Sequence, residues 1–251
     1  MVQTENTAIV LRHVNYRDND RMVTLFSPSR GRIDAVIRNC RKPKSHNLNA
    51  GELFALGDYM LYESGGRVTV TSVHLIETFY ALRQDYERLT CGTYLLSLAD
   101  AVIELEQERQ ELFMLLLHTL SRLAFSDQPW RPLLAGFLLH FAACEGFKPR
   151  LNHCVLCGRR MGEEGPFFFD LEEGGLCCGD CHERREAQAA SGEKKQEPLT
   201  AGQVRWMRHA LESGSASWVD TEESSAPFPL LRKYAEGRLG RRIRASVLLP
   251  E

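Results

Sequence analysis

No run in this 251-residue chain approaches the roughly eighteen consecutive apolar residues of a membrane-spanning helix. The opening residues, MVQTENTAIVLRHV, lack the basic start and apolar stretch of a secretory signal. Motifs that announce catalysis are missing too: no GxxxxGKS/T loop, no GxSxG elbow, no GxGxxG after a strand pattern and no HExxH. Internal repeats and long low-complexity tracts are absent, and a net charge of −2 excludes a protein coated all over with positive charge. The expectation is a cytoplasmic protein with no membrane partner and no enzyme chemistry. In that reducing compartment, clustered cysteines read as a metal or redox site before a disulfide framework.

Cysteine itself is not scarce. Five of the eight fall in LNHCVLCGRRMGEEGPFFFDLEEGGLCCGDC, residues 151–181. With 43% hydrophobic and 25% charged residues the chain is of ordinary globular composition, sufficient for one large domain or two to three small ones. The near-neutral mean hides a segregation of charge. RGRIDAVIRNCRKPK at 30–44 and LLRKYAEGRLGRRIR at 230–244 each hold six basic groups and one acid, net +5 apiece, which leaves −12 for the remainder. Two basic segments on an acidic body suit a binder of polyanions, although a basic run is as readily a solvated face.

Residues 1–80 read as five short strands, AIVLRHV, MVTLF, RIDAVI, LFALGDYMLYE and RVTVTSVHLI, separated by turn formers such as SPSRG and SGG. Five antiparallel strands in that length predict a small barrel, an OB-fold first and an SH3-like barrel second. From residue 81 apolar residues recur at three and four: Leu82, Tyr86, Leu89, Leu95, Leu98, Val102 and Leu105 mark one helix, with ELFMLLLHTLSRLAF and PLLAGFLLHFAACEGF marking two more. His118 and His140 on these helices are read as structural, and the carboxylates of IELEQERQE as an acidic solvated helix face. EAQAASGEKKQEPLT looks like a polar linker, Thr200 the cap of a helix AGQVRWMRHALES, and Leu231, Ala235, Leu239 and Ile243 the apolar stripe of a last, basic-flanked helix. The chain is thus expected to be α+β: a barrel at 1–80, a helical bundle at 81–150, a cysteine module at 151–185 and helices completing the bundle at 199–251.

Cys154 and Cys157 form one CxxC, and Cys178 and Cys181 a second, with twenty residues between the pairs. Each pair offers two thiolates from one tight turn, and a hairpin through GPFFFDLEEGG would bring the turns together around one tetrahedral ion, zinc being the natural occupant. Four thiolates leave no open coordination position, so such a site holds shape, and the ion substitutes for a core that so short a module lacks. Cys177 is an alternative to Cys178. A thioredoxin-like role would need a CxxC that opens a helix within a βαβ unit, which neither pair suggests, and the HxE and PCxxC of a zinc deaminase are missing.

Barrel, bundle, four-cysteine insert and basic C-terminal segment, in that order, resemble the RecO family of bacterial DNA repair and recombination proteins. The likeness rests on AIVLRHVNYRDNDRMVTLFSPSRGRIDAVIRNCRKPKS for the barrel and its basic loop, GFKPRLNHCVLCG and GGLCCGDC for the zinc module, and LGRRIRAS for the last helix. The resemblance implies a mediator without catalytic residues. Such a protein binds single- and double-stranded DNA, anneals complementary strands coated by single-strand-binding protein, and works with RecR to help load RecA, in the cytoplasm at the nucleoid. It also implies one structural Zn2+ per chain and docking of the acidic, apolar C-terminal tail of single-strand-binding protein on the helical region. The phosphate contacts expected on the barrel are Arg38, Arg41, Lys42 and Lys44, extended by Arg12, Arg30 and Arg32. Arg238, Arg241, Arg242 and Arg244 would form a second basic surface, and Tyr16, Phe54, Tyr59 and Tyr62 are the aromatics to consider for base stacking. The competing reading is a zinc-ribbon adaptor whose cysteine hairpin contacts a protein and whose basic segments only solubilise.

Overall fold

The computed structural model describes residues 2–188, 195–222, 224–240 and 243–250. Two compact units emerge, one of Met1–Phe125 with Ile243–Glu251, the other of Ser126–Arg242.

The first unit is built on a closed barrel of β1 (Val2–Tyr16), β2 (Asp20–Ser27), β3 (Gly31–Ile37), β4 (Leu56–Ser64) and β5 (Arg67–Glu77), in the order β1-β2-β3-β5-β4. The long β1 pairs with β4 through its first half and β2 through its second, while β3 meets β5 in parallel at Val36↔Thr69 and Ile37↔Val70. This closed arrangement is that of an OB-fold rather than an SH3-like barrel. Gly65 and Gly66, both at positive φ, make the tight turn between β4 and β5 that most side chains would resist. Val10, Val23, Leu25, Ile33, Ile37, Tyr59, Leu61 and Val70 fill the interior. One end is sealed by residues 38–55: Cys40, Ala50, Phe54 and Ala55 of this loop are buried, and the Tyr59 hydroxyl donates to the carbonyls of Ala50 (2.9 Å) and Ala55 (3.1 Å).

Helices α1 (Tyr86–Val102) and α2 (Gln110–Phe125) pack on this barrel, with Phe113 edge-on to Phe26 at 5.3 Å. The expected helix through Leu105 stops at Val102, and the acidic run is no helix face. Residues 103–109 leave the helix to cover the open edge of β3: the Arg32 amide donates to the Glu104 carbonyl (2.9 Å), the Arg109 amide to the Pro28 carbonyl (2.8 Å), and Leu105 bridges Gly31 and Arg32. An unpaired strand edge outweighs continued helical periodicity there.

In the second unit α3 (Trp130–Cys144), α5 (Ala201–Glu212) and α6 (Phe228–Leu239) form the helical part, and β6 (Phe167–Asp170), β7 (Gly175–Cys178) and β8 (Gln196–Leu199) a sheet of order β7-β6-β8. Helix α4 (Gly179–Gln188) follows β7 directly. The hairpin expected from GPFFFDLEEGG is thus present, whereas the expected linker contributes the end of α4 and a third strand. Strand β8 went unseen because it is polar, yet its buried Gln196 is hydrogen-bonded on both sides and Pro198 occupies an edge position, where no ladder donor is lost. Thr200 caps α5 in a full capping box with Gln203. Helix α6 ends one turn earlier than its apolar stripe suggested, at Gly240 in the left-handed region (φ 63°), so Ile243 is not on it and belongs to the first unit.

Candidate nucleic-acid face and metal centre

Along β1, β2 and β3 the register aligns outward-facing residues in rows. Val14, Met22 and Val36 stand side by side, continued by Thr69 of β5. Val14 is 59% exposed, Met22 48% and Tyr16, the next outward residue on β1, 38%. Val14, Met22 and Tyr16 thus leave apolar surface of this barrel face open to solvent, with Val36 half-buried beside them. The Arg17 guanidinium lies over the Tyr16 ring, 5.1 Å from its centre. Residues 38–45 are tied to the adjoining β1–β2 turn: the Arg41 amide donates to the Asn19 carbonyl (3.1 Å), the Arg41 guanidinium to the Asp18 carbonyl (3.2 Å), and the Asn39 amide to the Asp20 carboxylate (2.8 Å). Arg38, Arg41, Lys42 and Lys44 are all exposed on this loop. The Arg41 guanidinium meets a backbone carbonyl there, and among the described residues no carboxylate is paired with it.

The other barrel candidates stand differently. Arg30 is held between Glu63 (2.6 Å) and Glu106 (2.5 Å), and Arg32 between Asp34 (2.9 Å) and Asp100 (3.0 Å). Their charges are already met by carboxylates, so they do not extend the free cationic patch that the sequence suggested. The hydrogen bond it donates to Glu106 holds the Arg30 guanidinium still more firmly protonated, against the cost of burial. Arg12 is exposed in the row Arg12–Thr24–Asp34. Burial opposes the Asp34 charge, but hydrogen bonds from Arg32 and Thr24, with the charges of Arg32 and Arg12, keep its carboxyl below the usual range. Phe54 and Tyr59 are wholly buried and Tyr62 half-buried, so Tyr16 is the one aromatic of those four in the exposed class. Met22 escaped the sequence reading because only strand register puts it beside Val14, whereas Val14 and Arg17 lie within two residues of Tyr16 but belong to no motif.

In the second unit, Cys154, Cys157, Cys178 and Cys181 bring their sulfurs within 4.8 Å of one another. A tetrahedral zinc with Zn–S near 2.3 Å sets its sulfurs about 3.8 Å apart, and Cys157 and Cys178 stand at 3.8 Å. The first pair sits on a turn closed by the Cys154 amide to the Arg159 carbonyl (2.8 Å) and the Gly158 amide to the Cys154 carbonyl (2.9 Å). The second pair spans the junction of β7 and α4. It does open a helix, but β6, β7 and β8 are antiparallel, so no redox-type βαβ unit is formed. Burial works against the Cys154 thiolate, yet the amides of Cys178, Cys157 and Leu156 outweigh it and draw that thiol down to about 6. Burial, then the neighbouring sulfurs, push Cys181 up to about 12. A full set of thiolates at this spacing calls for a cation, which is the chemistry a divalent ion supplies. The Arg184 guanidinium donates to Cys181 Sγ at 2.9 Å and the Cys178 amide to Cys154 Sγ at 3.4 Å, both favouring charged sulfur. Cys177 is not of this set: it is buried, its own thiol pushed up to about 12 by burial and then by Cys154 and Cys181.

Residues 1–79 match the family model Recombination protein O N terminal, and residues 83–246 match Recombination protein O C terminal. The chain belongs to the RecO family. The DNA repair protein RecO of Anaeromyxobacter dehalogenans is 34% identical over 100% of this chain and 97% of its own length. That of Acetivibrio thermocellus is 25% identical over 95% of this chain and 91% of its own, and that of Alkaliphilus metalliredigens 34% over 72% of each. A role in DNA repair and recombination follows for this RecO family member, and none of the matched families is catalytic. Among the described residues no helix is long and apolar enough to cross a membrane.

The basic C-terminal segment of this RecO chain is not one continuous helix. Arg238, near the end of α6, donates to the Glu172 carbonyl (2.5 Å) and lies over the Tyr234 ring, while Arg244 opens a short 3-10 turn in the first unit. Arg241 and Arg242 lie outside the described residues. His118 is exposed, and His140 stacks on Trp218 with its Nε2 at 2.8 Å from the Ala210 carbonyl, a structural arrangement.

Proposed function

We propose that this RecO family member is a recombination mediator that binds single- and double-stranded DNA, anneals complementary strands coated by single-strand-binding protein, and acts with RecR in loading RecA. The observation that carries the reading is the row Val14–Met22–Val36, exposed at Val14 and Met22 and half-buried at Val36, with the exposed Tyr16, bordered by the cations of Arg17, Arg38, Arg41, Lys42 and Lys44. In OB-folds the face of strands 2 and 3 and the β1–β2 loop contact oligonucleotides. Apolar and aromatic side chains offer a sequence-tolerant floor for bases, while arginine and lysine neutralise phosphates without reading sequence. Annealing needs that combination: two backbones gripped loosely and base edges left free to pair.

The acidic, apolar tail of single-strand-binding protein is assigned to the starts of α3 and α6. There Trp130 meets Phe228 edge-on at 5.3 Å, Arg131 lies over Trp130 and Arg232 over Phe228. Both helices begin after a proline without a side-chain cap, so free backbone N–H groups add to the attraction for carboxylates. One Zn2+ per chain, held by Cys154, Cys157, Cys178 and Cys181, serves structure. The test is strand annealing with single-strand-binding protein present. Rate enhancement is expected from the intact protein and its loss from Arg41→Glu/Lys42→Glu. If the intact protein captures partner proteins but never anneals, the adaptor reading stands instead.

A further inference from the structure

Helix α4 has no apolar stripe. Its sequence is GDCHERREAQ, and Cys181 is its one buried residue. A helix that is polar all round cannot dock by the hydrophobic effect and needs another anchor. Two are present. Cys181 supplies a sulfur of the metal site, and one turn of side chains behind it grips a polar cluster. There Asp170, wholly buried on β6, accepts from the amides of Glu172 (3.1 Å) and Glu173 (2.9 Å), from Arg185 of α4 (2.5 Å) and from Gln196 of β8 (2.8 Å). The Gln196 carbonyl oxygen stands 2.7 Å from His182 Nδ1 of α4, and the His182 ring stacks on Phe168 at 3.6 Å. The Gln196 amide also reaches Cys177 Sγ at 3.6 Å. Strand β8 is paired with β6 along Gln196–Leu199, buries Leu199 and takes an ion pair from Lys233 of α6 to Glu197 (2.5 Å), and its link to α4 runs through the one amide side chain of Gln196, which also touches β6 and the cysteine adjoining the metal shell.

The hairpin itself is anchored differently. Phe167, Phe169 and Leu176 are buried apolar residues, and Phe169 meets Tyr234 of α6 edge-on at 5.1 Å. Helices α3, α5 and α6 have their own core, in which Phe137, Phe141, Trp206, Met207 and Leu231 are buried and Phe137 stacks on Phe141. Loss of the ion would therefore act unevenly across the unit.

We infer that the ion, through Cys181 and α4, completes the hold on β8 that the β6 ladder and Lys233 begin, so that metal loss frees α4 and β8 together while β6, β7 and the three helices stay folded. The inference rests on the cysteines being an ion site. Release would bare the β6 edge beside Phe168, an unpaired strand edge of the kind that recruits another chain.

The test uses the whole protein under reducing conditions, loaded with one equivalent of Zn2+ or stripped by a chelator, with metal content measured in each sample before hydrogen exchange. Amides of 179–188 and of Gln196, Glu197 and Leu199 are expected to exchange at least about tenfold faster in the stripped protein, with α3, α5, α6 and the barrel unchanged. Unchanged exchange in α4 and β8 overturns the inference, and so does uniform loss of protection through 126–242. A protein that takes up no Zn2+ instead refutes the metal reading on which it rests. Gln196→Leu provides a second arm: exchange in β8 should rise while Co2+ still gives the absorption of a four-thiolate site. Protection of β8 unaltered in that variant would remove Gln196 from the linkage.

Discussion

If the loop at residues 38–44 is the phosphate-gripping surface, salt must weaken DNA binding by a calculable amount. Arg17, Arg38, Arg41, Lys42 and Lys44 are exposed there, whereas Arg30 and Arg32 are engaged by Glu63, Glu106, Asp34 and Asp100. Five phosphates neutralised on a single strand give a slope of log K against log salt of about −3.5, or a loss of about a hundredfold between 50 and 200 mM. Arg41→Glu with Lys42→Glu removes two contacts, which brings the slope to about −2.1 and the loss to about twentyfold. Fluorescence anisotropy on labelled oligo-dT across that salt range reads both quantities. Arg30→Gln is the control: the slope should stay at the parent value, while thermal unfolding comes earlier because Glu63 and Glu106 lose their common partner. A slope untouched by the Arg41 and Lys42 changes, or one that drops as far in Arg30→Gln, refutes the placement.

Tyr16→Ala should cost about 1–3 kcal/mol in binding to single strands at fixed salt, the usual value of one stacked base, without shifting the thermal midpoint, because the ring is on the surface. Cys178→Ser should abolish retention of the ion and Cys177→Ser should preserve it, as read by metal content after gel filtration. The His13 imidazole is held below its ordinary 6.5, first by burial and then by Arg21, with Glu52 opposing and Arg83 adding to the effect. The unfolded chain therefore takes up that proton first: the stabilisation is complete above pH 6.5 and erodes as pH falls through the range below it. Denaturant midpoints from pH 7 to 5 should show a fall that His13→Gln reduces. A Cβ on Gly136 of α3 would fall inside the indole of Trp218, so Gly136→Ala should destabilise the second unit by roughly 1–3 kcal/mol or more in thermal unfolding.

The sequence disclosed what local chemistry decides. Strand alternation and the Gly65–Gly66 turn made the barrel legible, Thr200 marked the start of α5, and the doubled CxxC named four sulfurs that the fold brings together. What escaped it depends on distant partners. Arg32 meets Asp100 across 68 positions and Arg30 meets Glu106 across 76, so charge runs alone presented both as free. The apolar stripe that reached Ile243 gave no weight to Gly240, whose left-handed backbone ends α6. Strand β8 lacks the alternation that announces a strand, since its place is set by distant partners: the β6 ladder, the hydrogen bonds of the buried Gln196 and the Lys233–Glu197 ion pair. The row of Val14, Met22 and the half-buried Val36 needed the pairing of three strands before it became a surface.

Among the four sulfurs, Cys157 alone is open to solvent, while Cys154, Cys178 and Cys181 are covered. An ion seated there has one approachable corner. Any thiol-bearing carrier that delivers or collects metal must begin by displacing Cys157, and the three sheltered sulfurs then set how slowly the handover proceeds. Exchange with the surrounding metal pool would accordingly be governed by a single side chain on the turn before Gly158.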